Sequence, residues 1–246
     1  MIDLTAKDQR LLRRLAEAGE GTGPALSVEE RARAVSLRDG ISHALLAEAG
    51  RRAEAVADLS PPPALPAHRD WTWRPPLWSA PSIPCGWSAA GGQTALSPEV
   101  GLFHDCPLGE IAARQVRAAA PPFALAVEVY GFEGTYLSLA VTLPLAALEN
   151  LRLRHVLRLD TSIRSERPAR VYARLNVQRG GAPATMVREM LLGPDGAGFI
   201  DFDLAYLRID LARVTGLWID LILDSPAANG IVIGDLVLSR TPRAEF

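Results

Sequence analysis

From about residue 97 to the C-terminus, apolar and polar residues alternate with a period of two. In ARVYARLNVQRG, the apolar residues that share one side of the segment are Val171, Ala173, Leu175 and Val177. About eight segments of this kind follow one another at spacings of roughly 10–15 residues, which is typical of antiparallel sandwiches. The alternation therefore predicts a mainly β fold over residues 97–246, a two-sheet β-sandwich or jelly roll.

Three stretches inside this region predict something other than a single strand. The segments 107–117 (PLGEIAARQVR) and 144–152 (PLAALENLR) each predict a short helix. The segment 121–141 (PPFALAVEVYGFEGTYLSLAV) predicts a β-hairpin that turns between Gly131 and Gly134. We expect these elements to interrupt the sandwich without changing its two-layer plan.

Residues 1–58 contain no aromatic residue and carry two helix-start signals, TAKD at 5–8 and SVEE at 27–30. A glycine-rich segment at 19–24 separates the two helices that these signals begin. The sequence therefore predicts an N-terminal helical hairpin. Its narrow apolar stripe would pack on the sandwich or on a second copy of the chain, so we expect a homo-oligomer through residues 1–58 as one outcome.

Residues 59–96 link these two regions and hold eight prolines and four of the five tryptophans. The prolines at 75 and 76 predict an extended backbone. Four exposed indoles would leave a large apolar area in water, so we expect at least two to be buried against the sandwich, making the segment an apolar strap. The alternative is a ligand platform, whose candidate binding residues are Trp71, Trp73, Arg74 and Trp78.

Charge and composition argue against several classes of function. The net charge is −2 and the pI is about 6.1, so the basic surface of a nucleic-acid-binding protein is missing. The N-terminus has no apolar signal region, and no uncharged apolar run reaches about 18 residues, so we expect neither secretion nor a transmembrane segment. The two cysteines, Cys85 and Cys106, make no disulfide framework. We expect a cytoplasmic protein.

The run His104-Asp105-Cys106 is the densest group of catalytic residue types in the sequence. A cysteine nucleophile needs an imidazole beside it in space, and neighbours in sequence point in different directions on a strand. We therefore interpret His104 and Cys106 as structural residues. The sequence also lacks CxxC, HExxH and GxSxG motifs and a phosphate-binding glycine loop, so we expect no catalytic residue and no cofactor.

Two resemblances add to these expectations. The segment GIVIGDLVLSR at 230–240 resembles the final strand of carbohydrate-binding jelly-roll modules, which implies Asp235 as a candidate ligand of a structural calcium. The segments 102–117 and 154–180, together with DWTWRP and the C-terminal region, resemble a domain-of-unknown-function family from alphaproteobacteria of the Rhodobacter group. That second resemblance would cover about 68–246, and it implies a bacterial cytosolic source but no catalytic residue.

These observations favour a non-enzymatic binding or assembly protein built on a β-sandwich. The more specific version of this hypothesis is a glycan-binding protein. The jelly-roll resemblance implies it, and exposed aromatic residues would supply the surface that contacts the sugar. The first alternative is a protein-interaction subunit that docks through its N-terminal helices. The second alternative is an enzyme that uses Cys106 and His104. The three hypotheses predict, respectively, a concave aromatic sheet face, an exposed helical stripe and a cleft that joins Cys106 to a histidine.

Overall fold

The structure is a computed structural model, and it describes residues 6–38, 41, 44–45, 48 and 65–243. The contacts within the chain divide it into two units, Met1–Arg52 and Ala53–Phe246. The described part of the first unit is helical, and the second unit holds both β-sheets. Among the described residues, no helix is long and apolar enough to cross a bilayer.

Two helices are described in the first unit: α1, Ala6–Gly19, and α2, which begins at residue 28 and covers 28–38. The capping box at the start of α2 is confirmed. The Ser27 N–H donates to Glu30 Oε2 at 2.8 Å, and the Glu30 N–H donates back to Ser27 Oγ at 3.2 Å. The other predicted signal, TAKD at 5–8, begins at a residue outside the described part of the chain.

Ion pairs hold the two helices together as the predicted hairpin. Arg33 of α2 donates two hydrogen bonds, of 2.8 and 3.0 Å, to the carboxylate of Asp8 on α1. Asp8 is buried, so the paired guanidinium satisfies a carboxylate that has little access to water. Arg14 of α1 makes a second pair with Glu30 of α2.

Thirteen strands are described in the second unit: β1 Trp71–Trp73, β2 Gly86–Ser88, β3 Gln93–Ala95, β4 Val100–His104, β5 Ile111–Arg117, β6 Phe123–Val129, β7 Leu137–Thr142, β8 His155–Ser165, β9 Val171–Gln178, β10 Ala184–Met190, β11 Ala197–Asp203, β12 Gly216–Leu223 and β13 Asn229–Pro242. A one-turn helix, α3, covers Pro76–Ser79. Three short 3₁₀ helices cover Leu145–Leu148, Leu204–Leu207 and Leu211–Arg213.

The strands form two antiparallel sheets, as the sequence predicted. Sheet A has the order β11-β8-β13-β6-β5-β2, and β1 pairs with the part of β13 that β6 leaves free. Sheet B has the order β10-β9-β12-β7-β4-β3. The core lies between the sheets and is made by the inward residues of the alternating segments, such as Leu159, Leu175 and Phe202. The outward side chains of the two sheets therefore lie outside this core.

The sequence predicted short helices at 107–117 and 144–152 and a hairpin at 121–141, and the structure corrects two of these three predictions. Residues 111–117 form strand β5 rather than a helix, because pairing with β6 buries Ile111 and Ala113 and outweighs the helix preference of the sequence. The predicted hairpin is also wrong, because β6 lies in sheet A and β7 in sheet B. The chain between Gly131 and Gly134 thus crosses from one sheet to the other. The short helix expected in 144–152 is confirmed as a 3₁₀ helix.

The proline-rich segment is part of both sheets. Its three short strands pair with strands of the sandwich, β1 with β13, β2 with β5 and β3 with β4. The prolines at 75 and 76 do not keep the chain extended throughout, because α3 begins at Pro76. Proline fits the first turn of a helix because the N–H that it lacks would have no partner there.

Candidate functional site

The outer face of sheet B carries a groove of about 760 Å³, a volume usual for ligand sites. Its floor is a cross-strand row of small residues: Ala140 of β7 lies opposite Gly101 of β4, which lies opposite Ala95 of β3. Larger side chains occupy the rows on either side. The small row therefore leaves a trough that runs across the strands, and we refer to it as the sheet B groove.

Aromatic side chains line this trough, and the Phe103 ring leans over Gly101 of the floor row, where a Cβ would come within 2.9 Å of it. Trp218 of β12 lies opposite Thr142, one row from the floor, and Phe103 of β4 lies opposite Ser138, one row to the other side. Tyr136, which precedes β7 and is 42% exposed, also lines the groove. Each ring can offer an apolar surface to a ligand that lies in the trough.

A fixed carboxylate lies at the end of the floor row. Asp220, which is only 4% exposed, stands between Ala140 and Arg174 in the register of sheet B. Its Oδ2 accepts from Arg174 Nε at 2.9 Å and from Asn176 Nδ2 at 2.8 Å, and Arg174 Nη2 lies 2.8 Å away. Its Oδ1 has no donor in the described part of the chain and is not sealed from solvent. Asp220 thus presents a positioned acceptor to the groove.

The His104-Asp105-Cys106 corner supports the loop that carries Tyr136. Asp105 accepts from the Thr135 and Tyr136 N–H groups at 2.7 and 3.2 Å and from the Thr135 hydroxyl at 2.5 Å. The Thr135 hydroxyl is the main cause that holds the pKa of Asp105 below its usual value, and the two N–H groups act in the same direction against burial. A Cβ on Gly134 would come within 2.8 Å of the Cys106 nitrogen, so the loop passes too close for any other residue.

His104 and Cys106 are buried and bonded to the backbone. His104 Nε2 lies 2.8 Å from the Ala89 carbonyl oxygen, which can only accept, and Nδ1 accepts from the Cys106 N–H at 3.2 Å. Burial raises the pKa of the Cys106 thiol, but surrounding backbone N–H groups, with that of Glu133 foremost, outweigh it and lower the pKa. Within the described residues, no hydrogen bond joins the His104 ring to the Cys106 sulfur.

The four strap tryptophans pack on the sandwich. Trp78 has no exposed surface, and its Nε1–H donates to the Ile233 carbonyl oxygen at 3.0 Å. The other three, Trp71, Trp73 and Trp87, are partly buried against the same core. An indole without exposed surface offers no face to a ligand, so Trp78 contributes packing in this structure. Ligand binding by Trp71, Trp73 and Arg74 stays a prediction.

Arg74 and Asp235 are partners of each other. Arg74 Nε and Nη2 donate to the two oxygens of Asp235 at 2.9 and 3.0 Å. The Asp235 Oδ1 also accepts its neighbour's N–H, that of Leu236, at 2.7 Å. Calcium binding by Asp235 stays a prediction, and it would require the carboxylate to exchange a guanidinium for the metal. Among the described residues, no group of three or more His, Cys, Asp and Glu side chains is arranged to hold a metal ion.

A comparison with protein families matches residues 3–246 to DUF6478, a family of unknown function. The chain belongs to DUF6478. The match covers the helical hairpin as well as the sandwich and so extends beyond the 68–246 that the sequence resemblance would cover. A comparison with curated proteins finds no match for this DUF6478 chain.

Solved structures with a similar arrangement include carbohydrate-binding modules. A family 11 module from Clostridium thermocellum in complex with a mixed-linked tetrasaccharide shares 12% identity with a TM-score of 0.39, over 61% of this chain and 92% of that one. The C-terminal family 22 module of Clostridium thermocellum Xyn10B shares 9% identity with a TM-score of 0.36, over 76% and 100%. The enzymatically active domain of a bacteriophage CBA120 tailspike protein shares 7% identity with a TM-score of 0.40, over 57% of this chain and only 19% of that one. These scores are too low to transfer a function.

Sequence reasoning missed the residues of the sheet B groove. Trp218, Arg174 and Asp220 all sit at outward positions of alternating strands, where the alternation alone predicts a solvated face. The signal that distinguishes them is register, because Arg174 pairs with Asp220 across two strands that are more than 40 residues apart. In the sequence of this DUF6478 protein, the feature that could have indicated the groove is Trp218, a tryptophan at an outward strand position where polar residues are usual.

Proposed function

We propose that this DUF6478 protein is a non-enzymatic protein that binds glycans in the sheet B groove. The observation that carries the proposal is the pair Trp218 and Asp220, which project from the outer face of one strand about 7 Å apart. The ring supplies an apolar surface for the face of a sugar. Asp220 Oδ1 supplies an acceptor for a hydroxyl, and Arg174 and Asn176 hold it in place.

The shape of the groove supports an oligosaccharide as the ligand. The lining residues run from Arg174 on β9 to Gln93 on β3, across four inter-strand steps. At about 4.8 Å per step, this distance is about 19 Å, which accommodates several sugar rings. A trough of this length with aromatic rings along it suits a chain more than a compact molecule.

Affinity gel electrophoresis with soluble neutral polysaccharides tests this proposal. We expect at least one of a panel of β-glucan, xylan, galactan and mannan to retard the protein, and Trp218→Ala to abolish the retardation. Phe199→Ala is the matched control, because Phe199 is an exposed ring on the outer face of sheet A, away from the groove. If Trp218→Ala binds normally and Trp71→Ala or Trp73→Ala does not, the strap is the platform and the sheet B groove is not the site.

A second candidate function is docking of a protein partner, or a second copy, through the helical unit. The observation that favours it is the exposure of apolar side chains in the helical unit, among them Val35 at 46% and Leu45 at 62%. Sedimentation velocity of Leu45→Asp tests it. A smaller sedimentation coefficient than that of wild type supports self-association through residues 1–58. A cytoplasmic location remains part of this proposal, and fractionation of the source cells tests it.

A further inference from the structure

We infer that Glu99 makes the sheet B groove favour uncharged over anionic saccharides, an inference that rests on the proposed function. Three charged residues line the groove, Glu99, Arg174 and Asp220. Arg174 and Asp220 neutralise each other through their ion pair. Glu99 makes no ion pair with any described residue, so the groove carries one uncompensated negative charge.

The backbone and a hydroxyl hold Glu99 at the rim. The Thr142 N–H donates to the Glu99 carbonyl oxygen at 2.8 Å, and Thr142 lies opposite Trp218. Glu99 therefore stands in the cross-strand row of Trp218, two inter-strand steps or about 10 Å from it. The Ser97 hydroxyl donates to Glu99 Oε2 at 3.1 Å, and its oxygen accepts the Glu99 N–H at 3.3 Å. The carboxylate is thus positioned rather than free to swing away.

A ligand that stacks on Trp218 brings its substituents close to this carboxylate. A carboxylate or sulfate on that sugar or on the next ring lies within about 10 Å of Glu99, which is close to the Debye length at physiological salt. Arg174 gives no compensating attraction, because Asp220 already neutralises it. We expect the wild-type protein to bind an anionic chain about three- to tenfold more weakly than its neutral counterpart at low salt, and this ratio to approach one at about 1 M salt.

Matched polysaccharide pairs test the inference with the full-length protein. Hydroxyethyl cellulose and carboxymethyl cellulose share one backbone, as do dextran and dextran sulfate, and affinity electrophoresis at low and high salt compares the two members of each pair. Glu99→Gln should raise the ratio of the affinity for the anionic member to that for the neutral member about three- to tenfold. Glu149→Gln is the control, because it removes one exposed negative charge outside the groove.

Each result bears on one of the two proposals. Equal affinity of the wild-type protein for both members overturns the role of Glu99, as does a Glu99→Gln variant that keeps the wild-type preference. If Glu99→Gln fails to fold, the salt dependence of the wild-type protein decides the same question, because a charge-based preference must weaken as the salt concentration rises. If no polysaccharide of the neutral panel and no member of any pair binds, the proposed function fails, and the role of Glu99 fails with it. If only a panel polysaccharide binds, that polysaccharide and its carboxymethyl derivative form the test pair, and the same outcomes apply.

Discussion

The strap and the sheet B groove use the same residue type in opposite ways. The strap holds four tryptophans between residues 71 and 87, and all four pack on the core. The groove holds only one, Trp218, on the outer face of a strand. A dense cluster of indoles thus marks packing here, whereas the isolated indole marks the candidate site.

The polar partners of the two regions explain this difference. In the strap, Arg74 pairs with Asp235 and the Trp78 N–H is used by a carbonyl group, so the polar groups tie the segment to the sandwich. In the groove, Asp220 binds Arg174 and Asn176 through one oxygen and keeps the other for the groove. Polar groups whose hydrogen bonds are all made within the fold indicate a structural role. A positioned polar group that can still accept a hydrogen bond indicates a binding role.

Truncation of the most buried strap residue should have the largest effect on stability. Trp78→Ala removes a side chain with no exposed surface and leaves the Ile233 carbonyl without its donor. We expect the free energy of unfolding to fall by about 3–5 kcal/mol. Urea unfolding followed by circular dichroism measures it. Trp87→Ala, at the edge of sheet A and only partly buried, should cost clearly less, and equal costs would mean that Trp78 is not the anchor of the strap.

Removal of the groove carboxylate should have the next largest effect. Asp220→Ala leaves the Arg174 guanidinium and the buried Asn176 amide without their shared acceptor, and we expect a loss of about 2–3 kcal/mol together with loss of glycan binding. A double-mutant cycle with Arg174→Ala separates the ion pair from the rest. A coupling energy near zero would contradict the assignment of Arg174 as the residue that holds Asp220.

A second buried carboxylate, that of Asp160 on sheet A, can be compared with Asp220 on sheet B. Asp160 lies on the outer face of sheet A, and its Oδ2 has no partner among the described residues. Burial raises its pKa to about 6; Asp201 and Asp235 add to the shift and Arg158 opposes it. Among the described residues, Asp220 accepts hydrogen bonds from Arg174 and Asn176, whereas Asp160 accepts none.

The sign of the pH effect follows from this raised pKa. Because the folded state holds the Asp160 proton up to about pH 6 and the unfolded chain only to about pH 4, stability is lost as the pH rises through 6. Asp160→Asn should therefore be about 1–2 kcal/mol more stable than wild type at pH 7, with no difference near pH 4. Asp224→Asn, which removes an exposed ion pair with Arg170, should show no such gain. A constant difference across this pH range would contradict the shift.

More of the fold than of the candidate site could be predicted from the sequence, because the alternation of apolar and polar residues shows directly which side chains of a strand are buried. Val171, Ala173, Leu175 and Val177 are buried as their spacing predicted, and the strands form the two sheets that such burial requires. The path of the chain between sheets could not be predicted, since β6 and β7 show the same alternation whether they pair or cross over. The groove could not be predicted for the same reason, because its row of small residues becomes a floor only in one register.

The smallest loss of stability should come from the residue with the largest effect on binding. Trp218 is partly exposed on the outer face of sheet B, so Trp218→Ala opens no cavity in the core, and we expect the free energy of unfolding to fall by about 1–2 kcal/mol, less than for Trp78→Ala. Urea unfolding of this variant beside Trp78→Ala gives the direct comparison. A loss as large as that of Trp78→Ala would make Trp218 a packing residue like those of the strap. Loss of binding with a loss of stability well below that of Trp78→Ala would instead show that the Trp218 indole serves its ligand more than it serves the fold.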